Sequence, residues 1–190
     1  MNRTKVINKL IADNGYESYL EIGVYDGKHF NKVRANISKG VDPRLPKSLR
    51  NLNLLENVSS DEFFEANPDA KFDFIFIDGD HEAEQVEKDI VNAYAHLNKG
   101  GMILLHDCNP PSYESQVVPR IQGEYCGTVW RSVVGFIDAY GDKIKTGYFD
   151  DPHGLFAIYK TGRFAVKGCF TDMDMTYEEF DLNRKELLGY

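Results

Sequence analysis

Two rhythms of apolar residues alternate along the chain. Val6, Ile7, Leu10 and Ile11 fall at helical spacing and stop at Asn14-Gly15, a helix end. Residues 18–24, SYLEIGV, are a short apolar run of strand type. Helical spacing returns in residues 27–37 with Phe30, Val33 and Ile37 on one face, followed by short strands at 39–43, KGVDP, and 51–57, NLNLLEN. Residues 59–67, SSDEFFEAN, open with a capping serine and first-turn acids and predict a short helix. The strongest signal is residues 71–81, KFDFIFIDGDH. Phe72, Phe74, Ile75, Phe76 and Ile77 form a nearly unbroken run, as in a strand buried on both faces. A long helix is predicted over 82–101, with Val86, Ile90, Ala93, Tyr94 and Leu97 as its inner stripe and Gly100-Gly101 as its C-cap. Residues 102–108, MILLHDC, read as a further buried strand.

Strand and helix thus alternate up to Cys108, which implies a parallel sheet with helices on both faces. The later third is less regular. A proline-rich loop covers 109–119, a helix is predicted over 127–140, and two strands at 143–151 and 154–160 meet at Pro152-His153-Gly154 as an edge hairpin. The polar tail from Thr161 yields no clear element. The 190 residues fit one domain, 1–190, with one good core.

A net charge of -8 argues against a nucleic-acid surface, whose phosphates would be repelled. Cys108, Cys126 and Cys169 are few, odd in number and without a CxxC pair, so they read as reduced thiols in a cytoplasm. No signal peptide or membrane span is visible.

The first strand ends in Glu21, Gly23, Asp26 and Gly27, where an open α/β sheet holds its ligand. The glycines let a ligand approach the backbone. The dinucleotide pattern GxGxxG is missing, since Val24 and Tyr25 follow Gly23, and Glu21 and Asp26 would repel a pyrophosphate at the helix start. They suit an ammonium or sulfonium. Asp42 ends the second strand at the usual distance for a ribose-binding acid, and Ser60 and Asp61 are placed to meet an adenine edge. A ligand with ammonium, ribose and adenine is S-adenosylmethionine. The plainer readings are a solvated strand-end acid for Glu21, a turn former for Asp42 and helix caps for Ser60 and Asp61.

Two buried strands end in a second constellation, Asp78, Asp80 and His81 on one and His106 and Asp107 on the next. Carboxylates suit Mg²⁺ or Mn²⁺ and imidazole admits a transition metal. Asp80 equally fits an N-cap, and His106 a satisfied core histidine. Cys108 reads as inert packing, and His29, His96 and His153 as surface residues. Residues 109–135 are positioned to cover an acceptor, with Tyr113, Tyr125, Trp130 and Arg131 as candidate lining and Trp130 favouring packing.

YLEIGVYDGKHF, GVDP, FDFIFIDGDHEAEQVEKDI and GGMILLHDC, in this order over about residues 15 to 108, resemble the class I S-adenosylmethionine-dependent methyltransferases. The resemblance is strongest to the branch with IDGDH and HD strand ends. It implies a Rossmann-like doubly wound, mostly parallel sheet with a C-terminal antiparallel hairpin in three αβα layers. It implies a cofactor site at Glu21, Gly23, Tyr25, Gly27, Asp42, Ser60, Asp61 and Asp78, with Glu21 and Gly23 at the methionine, Asp42 at the ribose and Ser60-Asp61 at the adenine. Tyr25 stands where many members have their middle glycine. By similarity to the catechol and caffeoyl O-methyltransferases, Asp78 and Asp107 would be metal ligands with His106 replacing the third. His81 lies near the basic catalytic position, so His81, Asp78 and His106 are the catalytic candidates. The expected activity is O-methylation of a small molecule or sugar, with Mg²⁺ or another divalent metal as an optional helper and a homodimer left open. A metal-dependent hydrolase and a non-catalytic cofactor-binding module are the alternatives.

Overall fold

The computed structural model describes residues 2–50, 52–162, 164–168, 170 and 174–190. Helix α1 (Arg3–Asn14) starts where the Asn2 side chain accepts the Thr4 N–H at 3.0 Å, and it stops at Gly15, whose φ of 66° suits a residue without Cβ. Strand β1 (Ser18–Ile22) leads to β2 (Ile37–Val41) and β3 (Leu55–Glu56). Helix α2 (Ser60–Ala66) opens on a reciprocal capping box between Ser59 and Glu62. Then follow β4 (Phe72–Ile77), α3 (Ala83–His96), β5 (Leu97–Leu105), the single turn α4 (Tyr113–Gln116), α5 (Val129–Tyr140), β6 (Thr146–Phe149), β7 (Leu155–Tyr159) and α6 (Tyr177–Leu188).

The strands form one sheet in the order β3-β2-β1-β4-β5-β7-β6. The first five run parallel, and β7 lies antiparallel to both β5 and β6. This is the mostly parallel, Rossmann-like sheet with a terminal hairpin that the alternation of elements implied. The period-two alternation of β4 explains its apolar run. Phe74 and Phe76 face α1 with Val6, Ile7 and Ile11, while Ile75 and Ile77 face α3, α5 and α6 with Ile90, Val133 and Phe180. The sheet is therefore sandwiched unevenly, by α1 on one side and by α2, α3, α5 and α6 on the other.

Three local expectations are corrected. Residues 27–37 form turns and one 3₁₀ turn, Phe30–Lys32, in place of a helix. Asn8 of α1 brackets this segment. Its Nδ2 donates to the Lys32 carbonyl at 2.9 Å and its Oδ1 accepts from the Arg34 N–H at 2.8 Å, which holds the backbone in an extended exit. The strand expected over 51–57 shrinks to Leu55–Glu56, with Leu52 and Leu54 exposed beside it. Helix α3 ends at His96, so Gly100 and Gly101 belong to β5 and not to a helix cap. The tail yields α6, whose Thr176–Glu179 capping box starts a helix that seats Phe180 on Trp130, ring centroids 4.6 Å apart.

The strand order reverses between β1 and β4, because β1 leads outward to β2 and the chain returns to build β4 on its other side. A crevice must open beyond the C-terminal ends of these two strands.

Candidate active site

That crevice is a cavity of about 1010 Å³, lined from the ends of β1, β2, β4 and β5 and from α2 and α3. It brings together Glu21, Gly23, Tyr25, Asp42, Ser60, Asp78, His81, His106 and Asp107. Gly27 and Asp61 are outside the lining. Gly27, with φ 73°, shapes the turn and sits so close to Leu49 that a Cβ would meet it at 2.9 Å. Asp61 is exposed on the first turn of α2, so its carboxylate faces solvent, 3.4 Å from Gln85 Nε2.

At the first turn, Glu21 is buried inside the strand end. Its Oε2 accepts from the Tyr19 hydroxyl at 2.6 Å and pairs with His29 Nδ1 at 2.9 Å. Burial first, and then the neighbouring Glu21 charge, push the Tyr19 hydroxyl well above its usual pKa, so Tyr19 stays a donor. His29 is consequently no surface residue, since its ring packs on Phe76. Gly23 has φ 90°, and a Cβ there would lie 2.1 Å from the Asp78 carbonyl oxygen, so the approach of β1 to β4 demands glycine. Tyr25, at φ 52°, throws its ring outward to 78% exposure while its N–H donates to Asp42 Oδ2 at 2.8 Å. Asp42 Oδ1 accepts from the Arg44 N–H at 2.7 Å. Both oxygens of Asp42 are thereby aimed by backbone donors, and each keeps a further lone pair.

The ends of β4 and β5 carry the densest chemistry. His106 Nδ1 lies 3.1 Å from Asp78 Oδ1 and 3.1 Å from Asp107 Oδ2, and its Nε2 lies 3.1 Å from Asp151 Oδ1. Burial works against a charge on this ring, but hydrogen bonds to Asp107, Asp151 and Asp78 outweigh it and hold its pKa well above the usual value. His106 is thus clamped between three carboxylates, with Arg3 Nη1 also 3.1 Å from its Nδ1. Asp107 also meets His81 Nε2 at 3.3 Å and His153 Nδ1 at 3.2 Å. Its burial alone would raise its pKa, yet the bonds from His106 and His153 reverse this and keep it ionised, well below the carboxylate range. Asp107 adopts φ 60°, an uncommon backbone state for a residue with a side chain and one typical of functional sites. Arg3 of α1 closes the group, 2.9 Å from Asp78 Oδ2.

At the far wall, Ser60 is buried and donates to Asp89 Oδ1 of α3 at 2.6 Å. Ser60 is therefore not the cap of α2; Ser59 is. His81 precedes α3, and its ring stacks on Tyr125 at 5.5 Å and 13°. Of the four covering candidates only Tyr125 reaches the cavity. Tyr113 is exposed, Trp130 is fully buried in the core, and Arg131 lies over the Trp130 ring at 4.6 Å.

His153 and His96 also depart from the expected surface placement. His153 sits in the β6–β7 turn and swings back onto Asp107, while His96 is buried, bonded through Nδ1 to the Asn92 carbonyl at 2.7 Å. Arg3, Gln85, Asp89, Arg120 and His153 line the cavity without having stood out in the sequence. Only His153 carried a signal, a histidine in a turn beside a sheet edge. Cys108 and Cys126 are free and buried, and burial raises both thiol pKa values, which fits packing. Cys169 lies outside the described residues. No helix among the described residues is long and apolar enough to cross a membrane.

Known proteins are similar to this chain in sequence or in fold. An uncharacterised protein of Acanthamoeba polyphaga mimivirus is 29% identical over 128 residues, which is 55% of this chain. The chain spans only 57% of that viral protein. An O-methyltransferase of Bacillus cereus, solved with S-adenosylhomocysteine, is 20% identical with a TM-score of 0.56, over 83% of this chain and 80% of that one. The MycE methyltransferase of the mycinamycin biosynthetic pathway, solved with Mg, S-adenosylhomocysteine and mycinamycin VI, is 18% identical with a TM-score of 0.53, over 86% of this chain and 51% of that one. Residues 4–108, from α1 through the C-terminal end of β5, match the family profile described as a methyltransferase domain, and the chain belongs to that family.

Proposed function

We propose that this protein transfers a methyl group from S-adenosylmethionine to a hydroxyl oxygen of a small-molecule or sugar acceptor. The observation that carries the reading is one cavity in which a carboxylate-lined turn at β1 adjoins a histidine–aspartate cluster at β4 and β5. Glu21, held by Tyr19 and His29, supplies negative charge for the methionine ammonium and sulfonium. Asp42 faces the ribose hydroxyls, its carboxylate already aimed by two backbone N–H groups. When bound, S-adenosylmethionine would supply an electrophilic methyl on a cationic sulfur; as the carbon–oxygen bond forms the carbon–sulfur bond breaks, S-adenosylhomocysteine leaves, and the acceptor oxygen must lose its proton. His81 takes that proton, and Asp107, 3.3 Å from its Nε2, stabilises the imidazolium that results. His106, whose charged form three carboxylates favour and which is buried, is the poorer base. It fixes Asp78 and Asp107 in place.

The same residues fit a divalent ion. Donor atoms of Asp78, His81 and Asp107 lie within 4.8 Å of one another, and so do those of His106, Asp107 and His153. Asp78 and Asp107, with His106 once deprotonated, would hold the ion, which would lower the pKa of the acceptor hydroxyl. MycE, which is similar in fold, was solved with Mg.

Calorimetry with S-adenosylmethionine and S-adenosylhomocysteine tests the reading. Micromolar affinity is expected, with Glu21→Ala and Asp42→Ala each weakening it about tenfold, or about 1.4 kcal/mol. Absence of both heat and thermal shift would remove the proposal. Metal-stimulated phosphate release from a generic ester, without nucleoside binding, would point instead to a hydrolase.

A further inference from the structure

One side chain already stands where a divalent ion would enter. Arg3 is the first residue of α1 and lines the cavity with Asn2 and Thr4. Its Nη1 lies 2.9 Å from Asp78 Oδ2 and 3.1 Å from His106 Nδ1. A single nitrogen therefore touches two of the three residues that would hold the ion. Metal bonds to carboxylate oxygen and imidazole nitrogen run about 2.0–2.6 Å, so an ion bonded to both donors takes the place of the guanidinium. Arg3 is also the only lysine or arginine paired with Asp78, Asp107 or Asp151 among the described residues.

The local setting does not explain this arginine. The positive end of a helix dipole disfavours a cation in the first turn. Helix α1 carries Arg3 there with no first-turn acid, so the answering charge comes from another element, in Asp78. Val6, Ile7 and Ile11 pack α1 into the same core cluster as Phe74 and Phe76, which fixes the helix against the strand that leads into Asp78. The backbone that carries Arg3 is thus anchored, while its side chain, 35% exposed, reaches solvent. We propose that Arg3 is a tethered cation that competes with the divalent ion for Asp78 and His106, so that ion and guanidinium occupy the cluster by turns. Affinity for the ion is then set in part by a residue that is not a ligand. The inference rests on the ion reading above.

Calorimetric titration of the whole protein with Mn²⁺ alone, at fixed pH, tests it. Arg3→Met keeps a stem of similar reach and removes the charge, so it should bind Mn²⁺ about tenfold or more tightly than the wild type. Arg3→Lys restores the cation. Because the contact is made by one nitrogen and not by a bidentate fork, it should return the affinity to within about threefold of the wild type. Lys28 lines the same cavity but pairs with Asp26, away from the cluster. Lys28→Met therefore separates direct competition from the loss of any nearby charge, and it should change the affinity by less than about threefold. A second measurement needs no variant. Saturating Mg²⁺ should shift the Arg3 Nε–H resonance of the wild type as the guanidinium leaves Asp78. Equal or weaker Mn²⁺ affinity in Arg3→Met, an equal gain in Arg3→Lys or Lys28→Met, or an Arg3 resonance unmoved by bound Mg²⁺ overturns the competition alone. Failure of both the wild type and Arg3→Met to bind Mn²⁺ overturns the ion reading with it.

Discussion

The two ends of the cavity follow opposite electrostatic plans. At β4 and β5, Asp78, Asp107 and Asp151 are answered by Arg3, His106, His81 and His153, so each buried charge meets its opposite. At α2 and α3, Asp89 meets only the neutral donors Ser60 and Gln85 and keeps one oxygen idle. A saturated network holds geometry and gives a proton somewhere to go. An unsaturated one stores a desolvation cost, which shifts its carboxyl towards the neutral form.

The largest effect should come from the saturated end. His81→Gln removes the proposed base and should lower the rate of methyl transfer by about 10²–10⁴-fold with little change in S-adenosylhomocysteine affinity, read by labelled-methyl transfer at saturating acceptor. An unchanged rate would show that His81 is only packing against Tyr125. Next, Asp107→Asn leaves the buried imidazolium of His106 short of a partner and should cost about 3–5 kcal/mol in urea unfolding. The pH window follows from the shifts. His106 has its pKa raised in the fold, so its contribution is whole below the unfolded value and fades as pH rises through the folded value. Asp107 has its pKa lowered, so its contribution is whole above the unfolded carboxylate value and fades in acid. The wild type should therefore be most stable between about pH 4 and about pH 6.5, and Asp107→Asn should lower that maximum and flatten the fall on either side of it.

The smallest effect comes from the unsaturated end and has the opposite sign. Asp89 has its pKa raised to about 7, so the unfolded chain loses this proton first and stability falls between about pH 4 and that value. The decline amounts to at most about 4 kcal/mol, at about 1.4 kcal/mol per unit. Asp89→Asn should lack it, so the stability difference between variant and wild type should grow across this range and level off above it. A flat difference would mean that Asp89 is paired after all.

Much of this plan was legible in the residues. The apolar run of β4 could only be a doubly buried strand, and IDGDH and HD at two strand ends had to share one mouth once those strands were parallel neighbours. Gly23 stood out as a glycine at a strand end that lets a ligand approach; the structure adds that its φ and the closeness of Asp78 also demand glycine. What stayed hidden depended on distant partners. Nothing near residues 27–37 announces that Asn8 will break their helical pattern. His153 looked like a surface residue because its partner Asp107 is far away in sequence, joined only when β7 pairs with β5. Asp89 read as one more polar residue on α3, since only the packing of α2 onto that helix seals it from water. In α6 a signal was present, the spacing of Thr176 and Glu179, but the polar composition around it masked the buried Tyr177 and Phe180.

The placement of His153 has a consequence for how such an enzyme diversifies. A short connection at the rim of the sheet, tolerant of insertion and exchange, delivers a side chain to the Asp107 carboxylate. Remodelling that connection retunes the catalytic pocket without disturbing a single core strand, so a new acceptor is reachable through changes at the periphery alone.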